Sequence, residues 1–205
     1  KSLYAYNSSS GMQGKSVSYH RPYKNHYGGG SFFQFEYNLI RWLEKEGYKL
    51  TYITDMDVHE GVLEHSKAKA LLIAGHSEYW SMEMRESIER VTASKMNLAN
   101  FSANVGYWQV RIQQDKRPPN NPLIVCYKQF ALNQDPFRVI HPELVTTRFR
   151  DNPVLKPEDK VLGTRYIGIP KETVPFVVSN PSHWLYEGTG LKMGDKIPGV
   201  IGGEV

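Results

Sequence analysis

The stretch LLIAGHSEYWSMEMRESIERV, Leu71–Val91, limits what this chain can fold into more than any other. Leu71, Leu72 and Ile73 run together as large apolar residues, the mark of a strand buried in an α/β sheet. A tight turn is expected at Ala74-Gly75. A helix from about Ser81 to Ser94 then carries Met84, Ile88 and Val91 on one face, at helical spacing. Between the two, His76-Ser77-Glu78-Tyr79-Trp80 stands at the strand's carboxyl end. Open α/β sheets bind ligands there, because the diverging loops leave a crevice outside the strand ends. Ser81 supplies the helix cap, with Met84 rather than Glu three residues on. His76 and Glu78 are not needed as caps and become the first candidates for chemistry.

The neighbouring sequence extends the pattern. Residues 7–31 are rich in Ser, Gly, Asn and His, and read as a long loop. In Phe32–Tyr48, Phe32, Phe35, Leu39, Trp42 and Leu43 share one helical face, and Gly47 stops the helix. Lys49–Thr54 alternates like a strand, with Asp55–His59 at its end. A short helix is expected near Glu60–His65, and Met96–Asn104 reads as a further strand. This alternation predicts a three-layer α/β sandwich around a mostly parallel, doubly wound sheet. Right-handed crossovers then bring Asp57, His76, Glu78 and Asn104 to one sheet edge. Beyond residue 105, Tyr107–Ile112 and Leu123–Tyr127 look like strands around a proline-rich turn. Residues 129–172 show little periodicity and are expected to pack as an excursion on the core. Pro175–Ser179 reads as a strand, His183–Glu187 as a helical turn closed by Gly188, and Ile197–Val205 as a last strand. A single domain over residues 1–205 is expected. Because it opens at Lys1 without a first strand, it is expected to be a piece of a longer polypeptide lacking an N-terminal domain.

The totals exclude several classes. With 205 residues, one well-buried domain is comfortable and two are not. The apolar runs fall far short of the roughly 18–20 residues that span a bilayer, so no membrane partner is expected. A cytoplasmic location is the working expectation. The formal charge of +4 is modest and its basic residues are scattered, so no nucleic-acid partner is expected either. The single cysteine, Cys126, rules out an intrachain disulfide framework and a cysteine-based zinc site. Tyrosine is the unusual total, at 13 residues. Amphipathic rings of that number either pack interfaces and core or face a site.

Serine and cysteine nucleophiles fail on inspection. A nucleophile elbow needs Gly-x-Ser-x-Gly, or the cysteine equivalent, after a strand. The turn here is Ala-Gly-His-Ser-Glu, in which Ser77 lacks the second glycine. Cys126 sits inside a predicted strand, where it reads as a small buried hydrophobe.

Several pieces coincide in order and spacing: Ala5-Tyr6-Asn7, Arg21-Pro22-Tyr23, Thr54-Asp55-Met56-Asp57-Val58-His59, Gly75-His76-Ser77-Glu78-Tyr79-Trp80, Ala103-Asn104-Val105-Gly106-Tyr107-Trp108, Val125-Cys126-Tyr127-Lys128, His183-Trp184-Leu185, Gly188-Thr189-Gly190-Leu191 and Gly199-Val200-Ile201-Gly202-Gly203-Glu204. Together they resemble the carboxy-terminal domain of the N,N-dimethylformamidase large (beta) subunit family, over nearly the whole chain. The resemblance implies a fold similar to class I glutamine amidotransferases, usually behind an additional β-rich domain. It also implies a mononuclear iron held by two tyrosinates and a glutamate, hydrolysing N-substituted formamides to an amine and formate. Carried over residue by residue, the metal ligands are Glu78, Tyr23 and Tyr6, with Tyr4 standing two residues from Tyr6. Glu204 matches the catalytic glutamate, and His76, Asn104 and Lys128 match residues lining the pocket. An oligomer, with a small partner subunit and a small-molecule amide as ligand, is the implied assembly. Ser77 stands where an aspartate is common, and Gly203 where an aromatic often precedes the glutamate; both leave the substrate open.

Plain alternatives stand beside each assignment. Tyr6 and Tyr23 could be loop rings packing over the sheet. Glu78 could be a carboxylate near a helix amino terminus, where the dipole favours it by about 0.3–1 kcal/mol. His76 could be a core histidine, Asn104 a turn cap, Lys128 a surface cation and Glu204 a solvated carboxylate. Asp57 and His59 are expected to pair structurally at their strand end. As ligands, phenols have a pKa of about 10 and bind as tyrosinates only to a strongly acidic metal. Two phenolates and a carboxylate suit ferric iron better than zinc or copper. The expected activity is therefore metal-dependent amide hydrolysis, with Glu204 as general base and Asn104 and His76 at the oxyanion. The alternatives are a non-catalytic amidotransferase-like domain that binds a small molecule or sugar, and an assembly domain of a larger enzyme.

Overall fold

A computed structural model describes residues 2–9, 11–19, 28–114 and 121–202. The chain divides into two compact units, Lys1–Arg165 and Tyr166–Val205.

The first unit is mixed α/β. Strand β2 (Ala70–Gly75) pairs in parallel with β4 (Asn97–Ser102), and the intervening helix α4 (Met82–Ser94) makes the crossover. The expected helix is thus found within a residue of its predicted start. Ser81 caps it, its hydroxyl accepting from the Met84 amide at 3.1 Å. The Ser81 amide in turn meets the Met84 thioether at 3.4 Å, so a weak sulfur acceptor closes a box usually closed by Glu or Gln. Met84, Ile88 and Val91 are buried with Ile73, Val58, Leu63 and Met96, and this is the main core.

The parallel pattern does not extend through the second sheet. Strand β3 (Tyr79–Ser81) lies parallel to β5 (Trp108–Gln114), but β5 runs antiparallel to β6 (Pro122–Val125), and β6 antiparallel to β1 (Ser16–Ser18). The sheet is mixed because the chain between β5 and β6 is too short for a crossover, which takes about a dozen residues or more. A smaller core lies against this sheet, formed by Leu3, Val17, Val110 and Cys126.

Other expectations change at their physical details. Residues 48–54 form no strand. Thr54 instead caps α2 (Asp55–His59), exchanging hydrogen bonds with Asp57. Asp57 is therefore used by its own helix end and does not pair with His59, whose Nδ1 lies 2.8 Å from the Ser81 hydroxyl. A short α3 (Val62–His65) follows, as expected. The helix predicted at Phe32 begins with a π-type turn, Phe32–Glu36, before α1 (Tyr37–Lys45). That turn changes the angular phase between its two halves. Leu43 is buried, whereas Phe35 and Trp42 of the predicted face are exposed. Residues 129–165 hold only short helical pieces, α5 (Ala131–Gln134), α6 (Phe137–Ile140) and α7 (Asp159–Leu162), among irregular backbone.

In the second unit β7 (Val174–Val177) pairs antiparallel with β8 (Lys196–Ile201), and a 3-10 turn, Trp184–Tyr186, precedes Gly188. No described helix is long and apolar enough to cross a membrane.

Candidate functional site

Strands β2 and β4 end in register, Gly75 beside Ser102, so His76 and Ala103 leave the sheet at the same edge. Gly75 has φ +77, and a Cβ there would lie 2.5 Å from the Glu36 carboxylate; only glycine admits this approach. The loops beyond are tied together by backbone. The Ser77 carbonyl accepts from Gly106 N–H at 2.8 Å, and the Glu78 carbonyl from Tyr107 and Trp108 at 2.9 and 3.0 Å. Gly106, at φ +58, lets its turn lie against the Trp80 indole, which an added Cβ would meet at 3.0 Å. Trp80 is buried and donates its indole N–H to the Ser77 hydroxyl at 2.8 Å. His76, Glu78 and Asn104 thus share one edge; Asp57, expected there at a strand end, lies instead within α2, because no strand precedes it.

Glu78 is buried, and its Oε2 accepts from the Tyr4 hydroxyl at 2.9 Å. The Tyr79 hydroxyl donates to the Tyr4 oxygen at 2.5 Å, and the Lys128 ammonium donates to the Tyr79 oxygen at 2.5 Å. Lys128 Nζ also stands 3.4 Å from the centre of the Tyr4 ring. Lys128 follows β6 with φ +53 and is buried. Beside Glu78 and Tyr79 opens a pocket of about 120 Å³, lined further by Ser18, Tyr19, Asp55, His76, Ser77 and Ile124.

Burial dominates the electrostatics. It pushes the Tyr4 phenol above its ordinary range, and the Glu78 charge adds to this against the hydrogen bond from Tyr79. Tyr79 is raised by burial, by Glu78 and by its bond to Tyr4. Burial lowers Lys128 while Glu78 opposes, and Asp55 stands exposed at the pocket wall. The Cys126 thiol, fully buried, is pushed up to about 12, so it stays protonated and is no nucleophile. His59 Nδ1 faces both the Ser81 hydroxyl and, at 3.6 Å, the Glu83 carboxylate, so one ring nitrogen meets both groups and they do not form the relay of a triad. Ser81 is completely buried and caps α4, so no substrate reaches it.

Compared with known families, residues 1–205 match the one described as N,N-dimethylformamidase beta subunit-like, C-terminal. The chain belongs to this family. No curated protein matches it.

The predicted residues of this dimethylformamidase-like domain fall out as follows. Glu78 lies buried at the pocket, and His76 is exposed and lines it. Asn104 is buried, with φ +52, in the turn that also carries Gly106. Lys128 lies behind Tyr4 and Tyr79 and is not among the pocket's lining residues. Tyr6 is 81% exposed and touches Tyr4 by ring contact at 5.4 Å. It is Tyr4, not Tyr6, that the structure brings to Glu78, because buried Leu3 draws its neighbour inward while the 3-10 turn Ala5–Asn7 carries Tyr6 outward. Tyr23 and Glu204 lie outside the described residues. Tyr4 and Tyr79 are the site residues that sequence reasoning did not assign. Their signals were the apolar Leu3 beside Tyr4 and the adjacency of Tyr79 to Glu78.

The donor chemistry here fits a hard metal ion. Tyr4 and Glu78 offer oxygens only, and their 2.9 Å separation is close to that of two neighbouring ligands in an octahedron with bonds of about 2.0–2.1 Å. An ion shared by them would take the place of the proton between them, since ligands bind deprotonated. Among the described residues, no group of three or more His, Cys, Asp or Glu side chains is arranged to hold a metal.

Proposed function

We propose that this chain is part of an iron-dependent hydrolase that cleaves small N-substituted amides to an amine and a carboxylate. The observation that carries the reading is the phenol of Tyr4 set on the buried carboxylate of Glu78, which lines a small pocket, in a chain of the dimethylformamidase-like family. Tyr4 takes the place given to Tyr6 on sequence, with Tyr23 as the second tyrosine.

When bound, the iron supplies Lewis acidity that polarises the amide carbonyl. The chain's own residues do the rest. Glu78 and Tyr4 would hold the iron beside the pocket that Glu78 lines. A volume of about 120 Å³ has room for a short amide. His76, on the pocket wall, and Asn104, at the same sheet edge, are the donors we assign to the carbonyl oxygen as it gains charge. Asp55 adds a solvent-exposed carboxylate to the same lining, suited to receive the amine part. The family's description as beta subunit-like supports work within a multi-subunit assembly.

The test is metal analysis joined to an amide-hydrolysis screen. Purified protein is expected to retain iron, show a visible tyrosinate-to-ferric band, and release amine and formate from N-substituted formamides. Protein that takes up no iron and cleaves no formamide or short amide would sink the reading.

A further inference from the structure

We propose that Lys128 and Tyr79 are positioning residues that hold the Tyr4 oxygen against Glu78 before a metal arrives. The proposal rests on the reading that Tyr4 and Glu78 hold the iron. The four groups form one unbroken row, Lys128 Nζ, Tyr79 Oη, Tyr4 Oη and Glu78 Oε2, with links of 2.5, 2.5 and 2.9 Å. The direction of every proton in the row is fixed by its ends. An ammonium can only donate and a carboxylate can only accept, while each phenol has one proton to give. Lys128 must therefore donate to Tyr79, Tyr79 to Tyr4, and Tyr4 to Glu78.

The consequence is specific to metal binding. When the proton between Tyr4 and Glu78 is displaced, the bond from Tyr79 to the Tyr4 oxygen remains, and it becomes an outer hydrogen bond to a ligating oxygen. Such outer partners orient metal ligands and tune them. Lys128 contributes twice. It holds Tyr79 by its hydrogen bond, and its charge lies on the face of the Tyr4 ring at 3.4 Å, with the Trp108 ring at 5.4 Å. A buried ammonium met by a phenol oxygen and ring faces is an uncommon choice for simple packing, which methionine or leucine would serve without desolvation. Lys128 also holds a left-handed φ of +53, uncommon for a non-glycine residue. Its amide is secured on the Thr146 carbonyl at 3.1 Å.

Two variants test this, Tyr79→Phe and Lys128→Met, both keeping most of the packing volume. In competition with a chelator, each is expected to bind ferric iron about 10–100-fold more weakly than the parent. The double variant should lose little beyond Lys128→Met alone, since that change already removes the support of Tyr79 as well as the charge on the Tyr4 ring. A parent-like iron affinity in both single variants would overturn the proposal. A metal-free measurement separates this from failure of the iron reading itself. With ring-¹³C tyrosine, the Tyr4 signal is assigned by its loss in Tyr4→Phe. In metal-free Lys128→Met it should shift towards the position of exposed tyrosines. A Tyr4 signal that stays in place would overturn the positioning role, whether or not the parent takes up iron.

Discussion

Tyr4 and Tyr6 are separated by one residue and touch ring to ring, yet one meets the buried carboxylate of Glu78 and the other stands 81% exposed. Their chemistry is identical, so the difference lies wholly in where the backbone delivers them. This yields a paired prediction. Tyr4→Phe is expected to abolish or strongly weaken the visible iron band, while Tyr6→Phe leaves iron content and band at parental levels. Equal losses in both variants, or a loss confined to Tyr6→Phe, would return the ligand role to Tyr6. Glu78→Gln isolates the charge at the same point. The amide keeps the shape but cannot supply an anionic oxygen, so iron content should fall while the fold persists. Iron content measured by plasma emission, beside a circular dichroism spectrum, decides it.

Among elements, the firmest tie is that between β5 and the segment after α5. Arg111 grips Asp135 with both guanidinium nitrogens, at 2.8 and 2.9 Å, and Asp135 further accepts from the amides of Phe137 and Thr146. Burial pushes the Asp135 carboxyl up, but Arg111 and the two amides outweigh it and leave it below its ordinary value. The sign follows from that direction. A depressed carboxyl contributes stability that is full above the unfolded value of about 3.9 and is lost as pH falls through the folded value. Asp135→Asn leaves the Arg111 charge buried without its partner, which costs about 3–5 kcal/mol in such settings. Urea titration at neutral pH should show that loss, and the gap from the parent should narrow in acid. A gap that is constant with pH would mean that the carboxylate charge is not the source. Ser81→Ala should cost about 1 kcal/mol through the lost α4 cap. At this scale the sequence was legible where period and cap agree, as in β2, α4 and β4. It was not legible in β1 and β3, which run Ser16–Ser18 and Tyr79–Ser81. Segments that short carry no period, and their existence is decided by β6 and β5, far along the chain. The strand expected at Lys49–Thr54 failed for the converse reason. Alternation was present, but no neighbouring ladder among the described residues receives it.

For the molecule as a whole, the site is a product of sequence separation. The Tyr4–Glu78 and Lys128–Tyr79 bonds join residues 74 and 49 positions apart. The motif around Glu78 could be read directly, whereas the choice of Tyr4 could not, because only the packed sheet shows which ring arrives. All four groups of the row lie within the unit Lys1–Arg165. A metal ion held by Tyr4 and Glu78 would therefore clamp the start of the chain to the centre of that unit, and bind its folded state alone. Ligand present at 100 times its dissociation constant stabilises by about 2.7 kcal/mol. For a protein of about 150–250 residues each kcal/mol raises Tm by about 2–4 °C, so iron should lift the melting transition of this unit by about 5–11 °C. With two compact units, unfolding can show more than one transition, and the shift belongs to the one that carries the Tyr4 ring signal. A calorimetric scan of the protein with and without iron, repeated on Tyr4→Phe, measures it. The shift should vanish in that variant and survive in Tyr6→Phe. An iron-induced rise that persists in Tyr4→Phe would place the metal elsewhere on the chain.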